Sequence, residues 1–122
     1  MPQDRRRCNR VTIELPVTFK ASPYQQHISI GITQNISATG LCFTSTDKLD
    51  RGQDVSVEIR IPPGVRVKLD TTVIWVRDAL TISGDYVIGV RMKEPVNDQA
   101  RRFIQFCAKK MNEQAFPPGE AA

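Results

Sequence analysis

Histidine, cysteine and long apolar runs are all scarce in this sequence, and each shortage closes off a class of function. One histidine and three cysteines occur in 122 residues. No H-E-x-x-H, C-x-x-C or P-loop pattern is present, so metal-assisted hydrolysis and nucleoside triphosphate chemistry have no support. His27 falls on the polar side of an alternating segment and forms no motif with a cysteine or serine nucleophile, which makes it an expected surface residue. Asp47, Asp50 and Asp54 cluster in a loop without any sign of a general-acid environment. Neither a catalytic residue nor a metal site is expected, and the chain is not expected to be an enzyme. Cys8, Cys42 and Cys107 are odd in number and widely spaced, as reduced thiols are, and Cys42 and Cys107 are expected to be ordinary buried ones. The opening "MPQDRRRCNR" lacks the apolar core of a signal peptide and no later run is long enough to span a bilayer, so a cytoplasmic location is expected.

What the sequence does contain suits one domain. The composition is 40% hydrophobic and 25% charged, enough for a modest core and too short a chain for a second one. A net charge of +4 and a pI near 9.2 favour an anionic partner. Five Phe, two Tyr and one Trp fall mainly on apolar strand faces and one helical stripe. That leaves no exposed stacking platform of the kind single-stranded nucleic-acid binders use, and ranks such a function last.

Apolar periodicity sets the architecture. Val11, Ile13, Leu15, Val17 and Phe19 alternate with polar residues, the pattern of a half-buried strand, with Pro16 marking an edge or a bulge. The alternation returns at Ile28, Ile30 and Ile32, at Leu41 and Phe43, from Val55 to Ile61, at Val67, Leu69 and Val73, and from Tyr86 to Met92. Gly, Pro and Asp in "SPY", "SATG", "DKLDRGQD", "PPG" and "SGD" supply the turns between them. An all-β antiparallel barrel or sandwich of six or more strands is expected. After Pro95 the period changes: Asn97 or Asp98 can cap a helix whose apolar stripe is Ala100, Phe103, Ile104, Cys107 and Met111, and which packs on the barrel. The expected layout is a basic arm over residues 1–10, the barrel and helix over 11–112, and a tail over 113–122 with too little apolar content to order itself.

Two polar constellations remain. "RRRCNR" puts four arginines in six positions ahead of the first strand, and Arg6 and Arg10 in an extended chain point the same way, roughly 13 Å apart. "NISATG" offers Asn35 and Ser37 ahead of Gly40; by strand parity both lie on the face opposite Ile28, Ile30 and Ile32 and point outward together. Alone, "NISATG" is best explained as a turn whose side chains satisfy their own backbone.

Together, R-x-x-x-R (Arg6, Arg10) before the first strand and D/N-x-S-x-x-G (Asn35, Ser37, Gly40) after the second resemble the PilZ domain family, over about Arg5 to Met111. "VIWV" around Trp75, "YVIGVRM" and the closing helix follow in the order the family leads one to expect. The resemblance implies an antiparallel barrel with a C-terminal helix, and the bacterial second messenger cyclic di-GMP as ligand rather than any resident cofactor. It implies Arg5, Arg6, Arg10, Asn35, Ser37 and Gly40 as binding residues, with Arg7 and Trp75 as further candidates. Arg5, directly ahead of R-x-x-x-R, resembles members that take a stacked pair of ligand molecules. Asn35 stands where many members have aspartate, and an amide both accepts and donates where a carboxylate only accepts. The residue chemistry fits this ligand: a guanidinium fork bonds phosphate oxygens or the guanine O6/N7 edge and also stacks on a base. Residues 5–10 are expected to order over the ligand against the barrel, with the signal passing to a separate partner protein in control of motility, adhesion or biofilm. A barrel that keeps the fold but serves as a protein-interaction adaptor is the alternative.

Overall fold

The computed structural model describes residues 10–21, 28–79 and 85–115. Seven strands run β1 (Arg10–Thr12), β2 (Pro16–Ala21), β3 (Ser29–Ser37), β4 (Gly40–Ser45), β5 (Asp54–Ile61), β6 (Val65–Asp78) and β7 (Tyr86–Met92), followed by α1 (Asp98–Ala115). All pairings are antiparallel in the order β1-β3-β2-β5-β6-β7-β4, and β4 returns to pair with β3, which closes a six-stranded barrel. β1 and β2 lie end to end along the same side of β3, Val11 opposite Ile36 and Val17 opposite Gly31.

The expected break near Pro16 is present, since the first alternating segment splits between Thr12 and Pro16. A buried threonine spans the gap: Thr33 Oγ1 accepts from the Leu15 N–H at 2.8 Å and donates to the Ile13 carbonyl at 2.6 Å. Thr33→Val keeps the shape but strands the buried Leu15 N–H and the half-buried Ile13 carbonyl. It is expected to cost about 2–3 kcal/mol in urea unfolding without a change in the denaturant slope.

β3 is turned the other way from its apolar pattern. Ser29, Gly31 and Thr33 face the core, while Ile28, Ile30 and Ile32 are 67%, 73% and 49% exposed. The inward places are already taken: the Phe43 ring lies 3.3 Å from where a Gly31 Cβ would sit, and packs on Phe19 at 4.9 Å between ring centroids. The inward polar groups are satisfied, Thr33 as above and Ser29 by donating to the Asp47 carboxylate.

Core side chains come from every wall, including Val11, Phe19, Ile36, Phe43, Ile59 and Leu69. The helix covers this core with Ala100, Phe103 and Cys107 buried and Ile104 and Met111 half-buried, the stripe that the spacing predicts. Asn97 is its cap, accepting from the Ala100 N–H through Oδ1 at 2.9 Å. The helix runs past residue 112 to Ala115, because Glu113 pairs with Lys110 and Gln114 Nε2 donates to the Thr12 carbonyl. Residues 116–122 of the expected tail lie outside the described residues. No described helix is long and apolar enough to cross a membrane.

Candidate functional site

Strand pairing brings the second polar constellation against the end of the first. Arg10 is opposite Ser37 and Thr12 opposite Asn35, so Arg10 is held on the sheet as the first residue of β1. Arg5, Arg6 and Arg7 lie outside the described residues, as do Cys8 and His27.

Asn35 and Ser37 do point outward together, but by a route that parity alone does not predict. The register of β3 against β4 shifts between Thr33 and Asn35, an added residue that reverses the alternation. They therefore share the outer face with Ile28, Ile30 and Ile32 rather than opposing it, because the inward turn of the first half of β3 and the bulge cancel.

β6 repeats the device. Val67, Leu69, Thr71 and Val73 face inward, and parity would send Trp75 in after them. A register shift between Val73 and Trp75 turns the indole out instead. Its ring lies flat on β7 at Gly89, where any Cβ would come within 2.3 Å of it. Gly89 keeps the wall bare so that the ring can lie there. The register then runs Thr12, Asn35, Cys42, Gly89, Trp75 across the outer wall in one row.

These residues enclose a pocket of about 310 Å³ whose lining includes Arg10, Asn35, Ser37, Gly40, Trp75 and Arg91. Among the described residues no carboxylate lines it. The Arg77 guanidinium stacks on the Trp75 ring at 4.6 Å, a cation–π contact that holds a further cation beside the pocket. Sequence reasoning missed Arg77 and Arg91. Arg77 follows Trp75 by two residues, and that spacing after the bulge was the available signal.

Within the pocket the polar groups differ in how far they are already engaged. The Ser37 hydroxyl accepts from the N–H groups of Thr39 at 3.3 Å and Gly40 at 3.2 Å, and so builds the turn of "SATG". Among the described residues the Asn35 side-chain amide has no hydrogen-bond partner, and it is half-buried. Gly40 is fixed by close approach rather than by unusual dihedrals: a Cβ there would lie 2.0 Å from the Val90 carbonyl oxygen on β7.

The two described cysteines are buried and unoxidised, as expected. Burial pushes the Cys42 thiol above its ordinary value, opposed by Arg77 and then Arg10. Burial alone pushes Cys107 up to about 12, and its thiol donates to the Ser37 carbonyl at 3.4 Å, tying the helix to the site. Because the folded state keeps this proton while the unfolded thiol loses it near its ordinary value of 9.0, stability falls as pH rises between those values. Once the unfolded thiol is fully ionised, wild type is expected to lose about 1.4 kcal/mol more per pH unit than Cys107→Ala, measured by urea unfolding from pH 8 to pH 11. Among the described residues no group of three His, Cys, Asp or Glu could hold a metal ion.

A family model describing the PilZ domain matches residues 4–109. The chain belongs to the PilZ domain family. No curated protein sequence matches it. Among solved structures, this PilZ chain is similar to K. pneumonia MrkH in its apo state, with a TM-score of 0.72 and 16% identity over 94% of this chain and 54% of that one. It is also similar to the Bacillus subtilis inhibitor of motility MotI, with a TM-score of 0.70 and 16% identity over 87% of this chain and 51% of that one. This chain thus spans about half the length of both. Against the PilZ domain of Escherichia coli YcgR, determined with c-di-GMP, the TM-score is 0.63 at 13% identity over 88% of this chain and 95% of that one. At these identities the likeness concerns the fold.

Proposed function

We propose that this PilZ chain is a cyclic di-GMP receptor, binding the nucleotide on the outer wall formed by β1, β3, β4, β6 and β7. The observation that carries this is the β1–β3 register, which seats Arg10 beside Asn35 and Ser37 in one pocket with no carboxylate among its described residues. Membership of the family and the nucleotide held by the YcgR domain support the same ligand.

Each group has a task suited to its chemistry. The Asn35 amide, with no described partner, addresses the guanine edge, its oxygen accepting from the N1–H or the amino group. Trp75, flat on Gly89, carries the Arg77 guanidinium on its ring, and this cation–aromatic pair offers the planar guanidinium and the ring edge to a purine. Arg10 takes the guanine O6/N7 edge or a phosphodiester, and Ser37 holds the turn that sets Gly40 and the backbone amides beside it. A pocket of about 310 Å³ is at the small end of ligand sites, so it seats one base and leaves the rest of the ligand to residues ahead of Arg10. There Arg5, Arg6 and Arg7 meet the phosphates, ordering over the ligand as they do. With Arg5 added, enough cations are present for a stacked pair of ligand molecules. The ligand-induced change at this wall is passed to a separate partner protein.

Micromolar affinity needs about 8 kcal/mol, and one bidentate arginine–guanine contact contributes about 1–3 kcal/mol, so several of these groups act together. Isothermal titration with cyclic di-GMP, cyclic di-AMP and GTP tests the proposal. Selective binding of cyclic di-GMP with quenching of Trp75 fluorescence is expected, and two ligands per chain if the pair is bound. No heat at high micromolar ligand, confirmed by equilibrium dialysis, refutes the receptor function and leaves the adaptor; one ligand per chain refutes the stacked pair alone.

A further inference from the structure

Three of the five large apolar side chains exposed among the described residues stand on one strand face, Ile28, Ile30 and Ile32. They form a row roughly 13 Å long on the outer wall of β3. The adjoining strands place Pro16 beside Ile32, Thr18 beside Ile30, Glu58 beside Thr18 and Lys68 beside Glu58. Two grooves of about 390 and 500 Å³ share Thr18, Ile28 and Glu58 and so make one trough along β2. Among the described residues four cations, Lys20, Arg60, Arg66 and Lys68, line that trough against the single carboxylate of Glu58. None of the four arginine and lysine heads forms an ion pair among the described residues. Threonine would serve an idle exposed strand at little cost to its β-propensity, so an unbroken isoleucine row with a cationic border has the composition of a contact surface.

We propose that this wall docks an acidic partner protein, which lays a row of apolar side chains bordered by carboxylates onto Ile28, Ile30 and Ile32. The border charge selects the partner. A second copy of this chain meeting the same patch two-fold would set one cationic border against another, and with a net charge of +4 per chain that contact is disfavoured. Addition of a partner strand is disfavoured as well, because β3 is paired on one side with β1 and β2 and on the other with β4 from Gly31 onward, which leaves only the short Ser29–Ile30 edge without a β4 partner. The partner therefore reads side chains, as an amphipathic helix does. The row lies on the same strand as Asn35 and Ser37 but beyond the bulge, so docking does not require the nucleotide.

The test uses the full chain without nucleotide, with its isoleucine δ1-methyl groups labelled with ¹³C for NMR. The probes are an amphipathic helical peptide with a leucine stripe flanked by glutamates, its twin with lysines in place of the glutamates, and vesicles containing phosphatidylglycerol. The acidic peptide is expected to shift the Ile28, Ile30 and Ile32 methyl signals saturably, and to bind at least about tenfold more tightly than the lysine twin. Arg60→Glu/Arg66→Glu should reverse that preference, and Ile28→Thr/Ile30→Thr/Ile32→Thr should abolish binding. All five positions are exposed, so both variants should fold with unchanged melting temperature. The proposal is overturned if the acidic peptide moves none of the three methyls, if both peptides bind alike, if only vesicles perturb the row, or if the signals broaden with protein concentration alone.

Discussion

Arg6→Ala/Arg10→Ala will weaken cyclic di-GMP binding at least about 100-fold in isothermal titration while shifting the melting temperature by no more than about 2 °C. The two outcomes separate because, in the proposed receptor, both guanidinium groups serve the ligand and not the barrel. Arg10 is exposed, and β1 is held by Val11, which is fully buried against the core. The loss should exceed that of either single variant, since each guanidinium left alone can still neutralise a phosphate. Arg10→Lys is informative for the same reason. It keeps the charge and loses the planar fork, so it should retain less than about a tenth of the affinity if Arg10 bonds a guanine edge, and most of it if Arg10 meets only a phosphate. An undiminished affinity in the double variant would remove Arg10 from the site and transfer the ligand to other groups on the molecule.

The second large effect concerns folding. Gly40→Val should lower stability by more than about 4 kcal/mol in urea unfolding, in the extreme tail for single substitutions. A side chain here meets backbone, not a yielding side-chain tip: the Val90 carbonyl oxygen is 2.0 Å from the Cβ position, and the Arg91 Cα is 3.1 Å away. Relief requires β4 and β7 to separate, which breaks the seam running from Gly40 opposite Arg91 to Ser45 opposite Tyr86. Ser37→Ala is the comparison. It removes the hydroxyl that accepts from two turn amides but leaves the strands in place, and should cost about 1 kcal/mol. A Gly40→Val protein of wild-type stability would show that β4 and β7 do not approach as closely as this.

Much of this was legible in the sequence, and the parts that were not fail for identifiable reasons. The helix is the clearest success, because a three- and four-residue apolar spacing has only one face that can bury Ala100, Phe103 and Cys107. Strands give less. Alternation at Ile28, Ile30 and Ile32 marks a strand with two unlike faces, yet which face turns inward depends on what fills the interior, and Phe19 and Phe43 had already filled it. The polar residues that went inside instead are tolerated because Thr33 and Ser29 find hydrogen-bond partners 18 residues or more away in the chain.

By itself the sequence determined the antiparallel strands, the closing helix and the two short motifs whose order marks the family, because periodicity and motif spacing are local properties written in consecutive residues. Tertiary structure alone decided where the side chains of the site point. A bulge adds one residue to a strand with no mark in composition, yet it reverses every side chain that follows. Two such shifts, before Asn35 and before Trp75, turn an amide and an indole onto the same outer wall. Pairing of β6 with β7 then sets Gly89 against the indole, 14 residues away in the chain, while Arg77, two residues on along β6, stacks on the same ring.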